Sequence, residues 1–403
     1  MSTFRIIDGN IATPKGFRAT GIYSGIKKVE KHDLGILLSE VPAQAAGVYT
    51  TNLFQAAPLV VAKESIEKGQ LQAVIVNSGN ANACTGDQGL EDARTMQKTV
   101  SKAFSILPEL VGVASTGVIG EYLPMEKVVR GIEQLPDNLS DQSGPLFSQA
   151  ILTTDLVEKS ICVELELDGT VVTLAGTAKG SGMIHPNMAT MLAFISTDAN
   201  VDQAFLQSAL RKATDETFNM ITVDGDTSTN DMVIVLANGM SGNNQVSSAH
   251  PQADDFYQAL CYVMKELAKK IARDGEGATK LLEVEVTGAP TEEIARKVSK
   301  TVISSNLVKT AIYGADANWG RILCAVGYSG ADIKPELVDV FLGSIQVVQA
   351  SFPVPFSEDD ARDYLLKENV KILVDLHDGE AKATAWGCDL TYDYIRINAS
   401  YRT

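Results

Sequence analysis

Near the middle of this 403-residue chain a glycine-rich loop runs straight into an apolar strand. The stretch reads Ala178-Lys179-Gly180-Ser181-Gly182-Met183-Ile184-His185-Pro186-Asn187-Met188-Ala189-Thr190, followed by Met191-Leu192-Ala193-Phe194-Ile195. Up to Pro186 the glycines leave the backbone free to bend around a ligand. From Met191 the unbroken apolar run reads as a buried strand. Thr190 stands at that junction, behind the small Ala189. Breaking the Ala189–Thr190 bond would give Thr190 a free α-amine beside its own hydroxyl, a nucleophile with a built-in base. Such an amine has a reference pKa of roughly 7.7–8.0, so a useful fraction is neutral near pH 7. It can take the hydroxyl proton directly or through one water. No histidine is then needed, and the chain has only His32, His185, His250 and His377. Taken alone, a threonine here is an ordinary strand-initiating residue.

Bulk properties narrow the setting. Apolar content of 45% with 21% charged residues is that of a globular protein. The length predicts two or three lobes. A net charge of −16, from 50 acidic and 34 basic residues, repels phosphate backbones and anionic lipid. Nucleic acid and membrane partners are therefore not expected. The first residues lack the apolar centre of a signal peptide, and no run of about 18 apolar residues is present. Cys84, Cys162, Cys261, Cys324 and Cys388 are odd in number and widely spaced, without a C-x-x-C. That pattern predicts reduced thiols in a cytoplasmic compartment and no structural zinc site. There is no H-E-x-x-H, Walker A loop or EF-hand, so no metal is expected.

The periodicity mixes strands and helices. Strands are expected over 73–77, 111–115, 191–195, 232–237 and 281–287, and helices over 86–106, 124–135, 201–218, 254–272 and 291–302. Asp168-Gly169 between two alternating runs predicts a hairpin over 160–176. Thr291 is placed to cap the helix that follows it. Short strands are expected over 323–328, 337–342 and 346–349, and a last hairpin over 370–376 and 382–388 around Asp378-Gly379. The sum is an α+β or mixed α/β chain with much antiparallel pairing.

The string KGSGMIHPNMATMLAFISTDA closely resembles the self-cleavage segment of the ornithine acetyltransferase family, also called the glutamate N-acetyltransferase or arginine-biosynthesis bifunctional family. NSGNANACTG (Asn77 to Gly86), STGVIG (Ser115 to Gly120), ILTTD (Ile151 to Asp155), VDGDTSTND (Val223 to Asp231), ARDGEGATK (Ala272 to Lys280), GADANWGRI (Gly314 to Ile322) and the final INASYRT (Ile397 to Thr403) are similar to that family, in its order.

The resemblance implies a layered αββα-like sandwich reminiscent of N-terminal-nucleophile enzymes, with smaller lobes. It implies a precursor that cuts itself at Ala189–Thr190 into an α chain, 1–189, and a β chain, 190–403. Two of each would assemble as a heterotetramer. The implied reaction moves the acetyl group of N-acetylornithine to glutamate through an acetyl-threonine on Thr190. Thr116 and Gly117 carry over as the oxyanion pair. Thr153, Lys179, Glu276, Asn398 and Thr403 carry over as substrate contacts, Lys179 for the carboxylate and Glu276 for the charged amine. Gly275 and Gly277 would let a ligand approach Glu276. The chain end would fold back into the site. No cofactor is implied. Family members that also take acetyl-CoA as donor share these motifs with members that do not, and no residue decides between them. Two other readings use the same residues: an N-terminal-nucleophile amidohydrolase or aminopeptidase passing the acyl group to water, and an unprocessed amino-acid-binding protein.

Overall fold

Asp168 and Gly169 both adopt left-handed backbone angles (φ 51° and 76°) and close the expected hairpin between Lys159–Leu167 and Thr170–Lys179. It belongs to the larger of two sheets in the computed structural model, which describes residues 4–185 and 191–400. The chain divides into two compact units. The first holds 1–180, 186–219 and 227–267; the second holds 181–185, 220–226 and 268–403.

The nine-stranded sheet of the first unit runs Phe4–Ile7, Lys159–Leu167, Thr170–Lys179, Leu192–Thr197, Met232–Ala237, Leu34–Tyr49, Gln70–Asn80, Val111–Val118. Phe17–Ile22 also pairs with Leu34–Tyr49. Leu192–Thr197 is buried at every residue. It pairs antiparallel with Thr170–Lys179 on one side and parallel with Met232–Ala237 on the other. Side chains alternate between faces along a strand. Leu192 and Phe194 join Met232, Ile234, Leu236 and Phe147 in one core cluster. On Gln70–Asn80, Val74 and Val76 face that cluster, whereas Ala73 and Ile75 face a second one. The second cluster is closed by Ala93, Met96 and Val100 of the helix Gly86–Phe104 and by Val128 and Ile132 of Met125–Gln134. Both faces are covered, as a layered mixed α/β fold requires.

The second unit is built on a seven-stranded sheet, ordered Phe352–Pro353, Ile345–Gln349, Asp339–Leu342, Asn369–Asp375, Leu281–Ala289, Ala381–Cys388, Ile221–Thr222. The helix Glu292–Ser304 buries Ala295, Val298, Val302 and Ile303. Thr291 caps it as expected, accepting from the Ile294 N–H.

Two expectations are corrected. Residues 323–328 form no strand: 323–327 lie in the helix Trp319–Gly327, capped by Asn318, and Tyr328 follows its end. Its buried Ile322, Ala325 and Val326 follow a helical period that the short apolar run disguised. The segments 370–376 and 382–388 are strands but not a hairpin. Leu281–Ala289 lies between them, parallel to the first and antiparallel to the second. A turn signal between two strands does not reveal a third strand that arrives from distant sequence. Among the described residues, no helix is long and apolar enough to cross a membrane.

Candidate active site

The Leu192–Thr197 strand begins between two charged strand ends. Lys179, expected in a loop, is the last residue of its strand, is 8% exposed, and sits opposite Leu192. On the other side Met232 is in register with Leu192, and its N–H donates to the Met191 carbonyl at 2.9 Å. Asp231 therefore stands one residue before the pairing begins. Thr190 and Ala189 precede Met191 directly and lie outside the described residues, as does Thr403.

Asp155 organises the Lys179 side of this junction. Its side chain and that of Lys159 are wholly buried, and the Lys159 Nζ donates to Oδ1 at 2.7 Å. The Gly180 N–H donates to the same oxygen at 2.7 Å, and the Thr153 N–H donates to Oδ2 at 3.0 Å. Burial opposes the charge on Asp155, but Lys179, Lys159 and these hydrogen bonds outweigh it and hold the carboxyl well below the usual carboxylate range. Thr153, one expected substrate contact, and Gly180, which follows another, Lys179, are thus fixed by one carboxylate. Lys27 adds a tether by donating to the Leu152 carbonyl at 2.8 Å, and burial pushes its ammonium down to about 8.

Thr116 and Gly117 close the strand Val111–Val118 alongside Ser78 and Gly79. Gly117 has φ 135°, and a Cβ there would lie 2.3 Å from the Gly79 carbonyl carbon. Only glycine fits such a close backbone approach. The two turn-rich strings near it have structural work. Ser115 Oγ donates to Asn77 Oδ1 at 2.5 Å, and Asn77 Nδ2 donates to the Asn80 carbonyl at 2.9 Å. Asn230 Nδ2 donates to the Ser115 carbonyl at 2.9 Å and to the Ala81 carbonyl at 2.5 Å. Asn230 immediately precedes Asp231, so the expected oxyanion strand is hydrogen-bonded to the segment that leads into Met232–Ala237.

Glu276 and Asn398 come together within the second unit. Asn398 Nδ2 donates to Glu276 Oε2 at 2.7 Å, from the terminal helix Tyr392–Ala399. Glu276 is 8% exposed. Its N–H donates to the Ser181 carbonyl at 2.9 Å, and a Cβ on Gly182 would lie 2.4 Å from its carboxyl carbon. The role expected of the flanking glycines is corrected. A Cβ on Gly277 would meet the Tyr394 backbone nitrogen at 2.6 Å, and one on Gly275 would meet Cys388 Sγ at 2.7 Å. They make room for the protein's own chain. Asp224 holds the loop from the same unit, accepting from the Met183 N–H at 2.7 Å and the Ile184 N–H at 2.9 Å. His185 Nδ1 lies 3.0 Å from Thr222 Oγ1; burial and the Lys300 charge push its imidazole down to about 4, so it is neutral at pH 7.

Sequence reasoning missed Asp155, Asp224, Asn230 and Asp231, although each stands in a string it had singled out. Their signal was an Asp or Asn at the edge of a turn beside a strand, which usually marks only the turn. Within GADANWGRI, Asn318 caps a helix, and Arg321 Nη1 donates to the Leu307 carbonyl at 2.9 Å.

These features define a layered α/β protein with buried charges gathered at the start of a central strand. The sequence model of the ArgJ family matches residues 18–403, and the chain belongs to that family. It is 58% identical over 399 residues to the arginine biosynthesis bifunctional protein ArgJ of Geobacillus kaustophilus, covering 99% of this chain and 97% of that protein. It is 56% identical over 400 residues to the protein of the same name from Streptococcus mutans, covering 99% and 100%. A crystal structure of arginine biosynthesis bifunctional protein ArgJ from Bacillus halodurans matches with 57% identity and a TM-score of 0.52. The match covers 53% of this chain and 100% of that one.

Proposed function

We propose that this chain is a glutamate N-acetyltransferase of arginine biosynthesis, moving the acetyl group of N-acetyl-L-ornithine to L-glutamate after cutting itself at Ala189–Thr190. Membership of the ArgJ family supports the reaction. The observation that carries the self-cleavage is one of length. The solved Bacillus halodurans chain is matched whole by 53% of this chain, and residues 190–403 number 214 of 403, also 53%. The sheet supports the two products staying together. Leu192–Thr197 and Met232–Ala237, from beyond the cut, are inserted between Thr170–Lys179 and Leu34–Tyr49, from before it.

In this mechanism the Thr190 amine takes the proton from its own hydroxyl, and the oxygen attacks the acetyl carbonyl. The Thr116 hydroxyl and Gly117 N–H stabilise the oxyanion, each such donor being worth about 10²–10³ in rate. Ornithine leaves with the proton, and acetyl-Thr190 remains. Glutamate enters, loses a proton to the Thr190 amine, and takes the acetyl group. Lys179 holds the substrate carboxylate as a point charge and Thr153 contacts the substrate through its hydroxyl. Glu276, oriented by Asn398, receives the substrate's charged amine, and Thr403 completes the contacts. We place the protein in the cytoplasm, which its five free cysteines support. We assign it an assembly of two α and two β chains on the family resemblance.

Purified protein given N-acetylornithine tests this reading. It predicts N-acetylglutamate in proportion to added glutamate. Acetate release that ignores glutamate would instead identify an amidohydrolase, and ligand binding without turnover in an intact chain would identify a binding protein. Adding acetyl-CoA in place of N-acetylornithine asks whether a second donor is used.

A further inference from the structure

Lys27 touches two groups of expected site residues that lie far apart in sequence, all of them in the first unit. Its Nζ donates to the Leu152 carbonyl at 2.8 Å and to the His32 carbonyl at 2.7 Å. The Leu152 carbonyl belongs to the peptide unit whose N–H, that of Thr153, donates to Asp155 Oδ2 at 3.0 Å. One peptide is thus pinned at its oxygen by a cation and at its hydrogen by an anion. Charge-assisted bonds of this kind are roughly twice as strong as neutral ones. The stem of Lys27 lies over Gly79. A Cβ on Gly79 would be 3.0 Å from Lys27 Cγ and 3.6 Å from the Lys27 backbone nitrogen. Gly79 is in turn paired with Gly117, and its carbonyl carbon is the atom that a Gly117 side chain would strike. Buried Asp33 sets this stacking. Its carboxylate accepts from the Lys27 N–H at 3.0 Å, while its carbonyl accepts from the Ser78 N–H at 2.8 Å.

We infer that Lys27 is a positioning residue for acetyl transfer: its ammonium fixes Thr153 for substrate binding, and its stem fixes Gly79 and, through it, the Gly117 N–H. Gly79 and Gly117 have φ of 96° and 135°, where the backbone is free to move and has no side chain of its own to hold it. Something must cover the pair if the Gly117 N–H is to stay within about 3 Å of a developing oxyanion. A lysine suits the place because its stem can lie along a surface while its head reaches past it to a polar partner. An aliphatic side chain would cover Gly79 and leave the Leu152 and His32 carbonyls without this donor. Lys27 makes and breaks no covalent bond. Its two parts act on separate quantities, the ammonium on substrate affinity and the stem on the rate of the chemical step.

This inference rests on the roles proposed above for Thr153, Thr116 and Gly117, and the test keeps the two apart. Lys27→Met keeps most of the stem and loses the ammonium; Lys27→Ala loses both. They are purified beside wild type, Thr153→Ala and Thr116→Ala, and rates are taken per cleaved chain, counted by intact mass. Lys27→Met is expected to raise KM for N-acetylornithine and for glutamate about 10-fold, with kcat within about 2-fold of wild type. Lys27→Ala should show the same rise in KM and a further fall in kcat of about 10-fold or more. A lysine that served the fold alone would lower the melting temperature and the active fraction, and would leave KM and the per-chain kcat where they were. If Thr153→Ala raises KM and Thr116→Ala lowers kcat, but both Lys27 variants keep wild-type constants, the inference is overturned and the site reading stands. If Thr153→Ala and Thr116→Ala are silent, the site reading itself fails. Equal kcat in Lys27→Met and Lys27→Ala would overturn the part given to the stem. Should neither variant fold, Lys27→Gln, which keeps a shorter neutral donor, is measured instead. A smaller rise in KM is then expected, and a wild-type KM overturns the inference.

Discussion

Two clusters of expected site residues are held in opposite ways. In the first unit the Asp155 side chain is wholly buried and binds Lys159, the Thr153 N–H and the Gly180 N–H. In the second, Glu276 takes a hydrogen bond from Asn398, on a terminal helix that has no buried residue. The first is a fixed frame of ion pairs and backbone bonds. The second depends on a surface element whose single amide reaches a carboxylate. Disturbing the frame should therefore damage folding and chemistry together, whereas disturbing the helix should alter substrate affinity and leave the fold intact.

Asp155→Asn probes the frame most strongly. It leaves Lys159 buried without its anion, and breaking a buried pair in this way costs about 3–5 kcal/mol. The denaturant midpoint should fall accordingly, and turnover should fall with it. Gly117→Ala comes next. Its Cβ would collide with the backbone at Gly79, which cannot swing aside as a side chain can. A drop of about 10²–10³ in kcat is expected at little changed KM, as for loss of one oxyanion donor. The matched glycine in the second unit sharpens the contrast. A Gly182→Ala methyl meets the flexible end of Glu276, so KM should rise while kcat holds. Asn398→Ala is milder. Losing one partly exposed hydrogen bond, worth about 0.5–1.5 kcal/mol, predicts a KM increase of roughly 3- to 10-fold with an unchanged melting temperature.

Acid should separate the units in the same sense. His185 in the second unit has its pKa depressed to about 4, so the stability tied to its neutral form is present above its unfolded value of about 6.5 and is lost as pH falls from there towards 4. Asp155 in the first unit also has a depressed pKa. Its contribution stays complete until pH nears the unfolded value of about 3.9 and is lost below that. Hydrogen exchange at pH 5 should show weaker protection at Ile184, His185 and Thr222 than at pH 7, with Thr153 and Gly180 unchanged. Equal loosening of both would remove the contrast.

How much the sequence revealed follows the same division. Local signals were legible: the Asp168-Gly169 turn, the Thr291 cap, the strand Met232–Ala237 and the helix spacing of Ala93, Met96 and Val100 are all fixed by neighbours in the chain. Pairing between distant segments was not. The insertion of Leu281–Ala289 between Asn369–Asp375 and Ala381–Cys388 leaves no mark in the turn beside it. The site behaved likewise. Residues that resemblance could name were named, and Glu276 with Asn398 do meet. The groups that position them, Asp155, Asp224 and Asn230, act across gaps of 25 to 115 residues. Only the folded chain shows such contacts.

The central claim is that the working enzyme carries a free amino terminus on Thr190. Intact mass and N-terminal sequencing of purified, active protein test it most directly. The account predicts two fragments, residues 1–189 and 190–403, the second beginning Thr-Met-Leu-Ala-Phe, and a single uncut, inactive chain for Thr190→Ala. Fully active protein in which the Ala189–Thr190 bond is unbroken would contradict it.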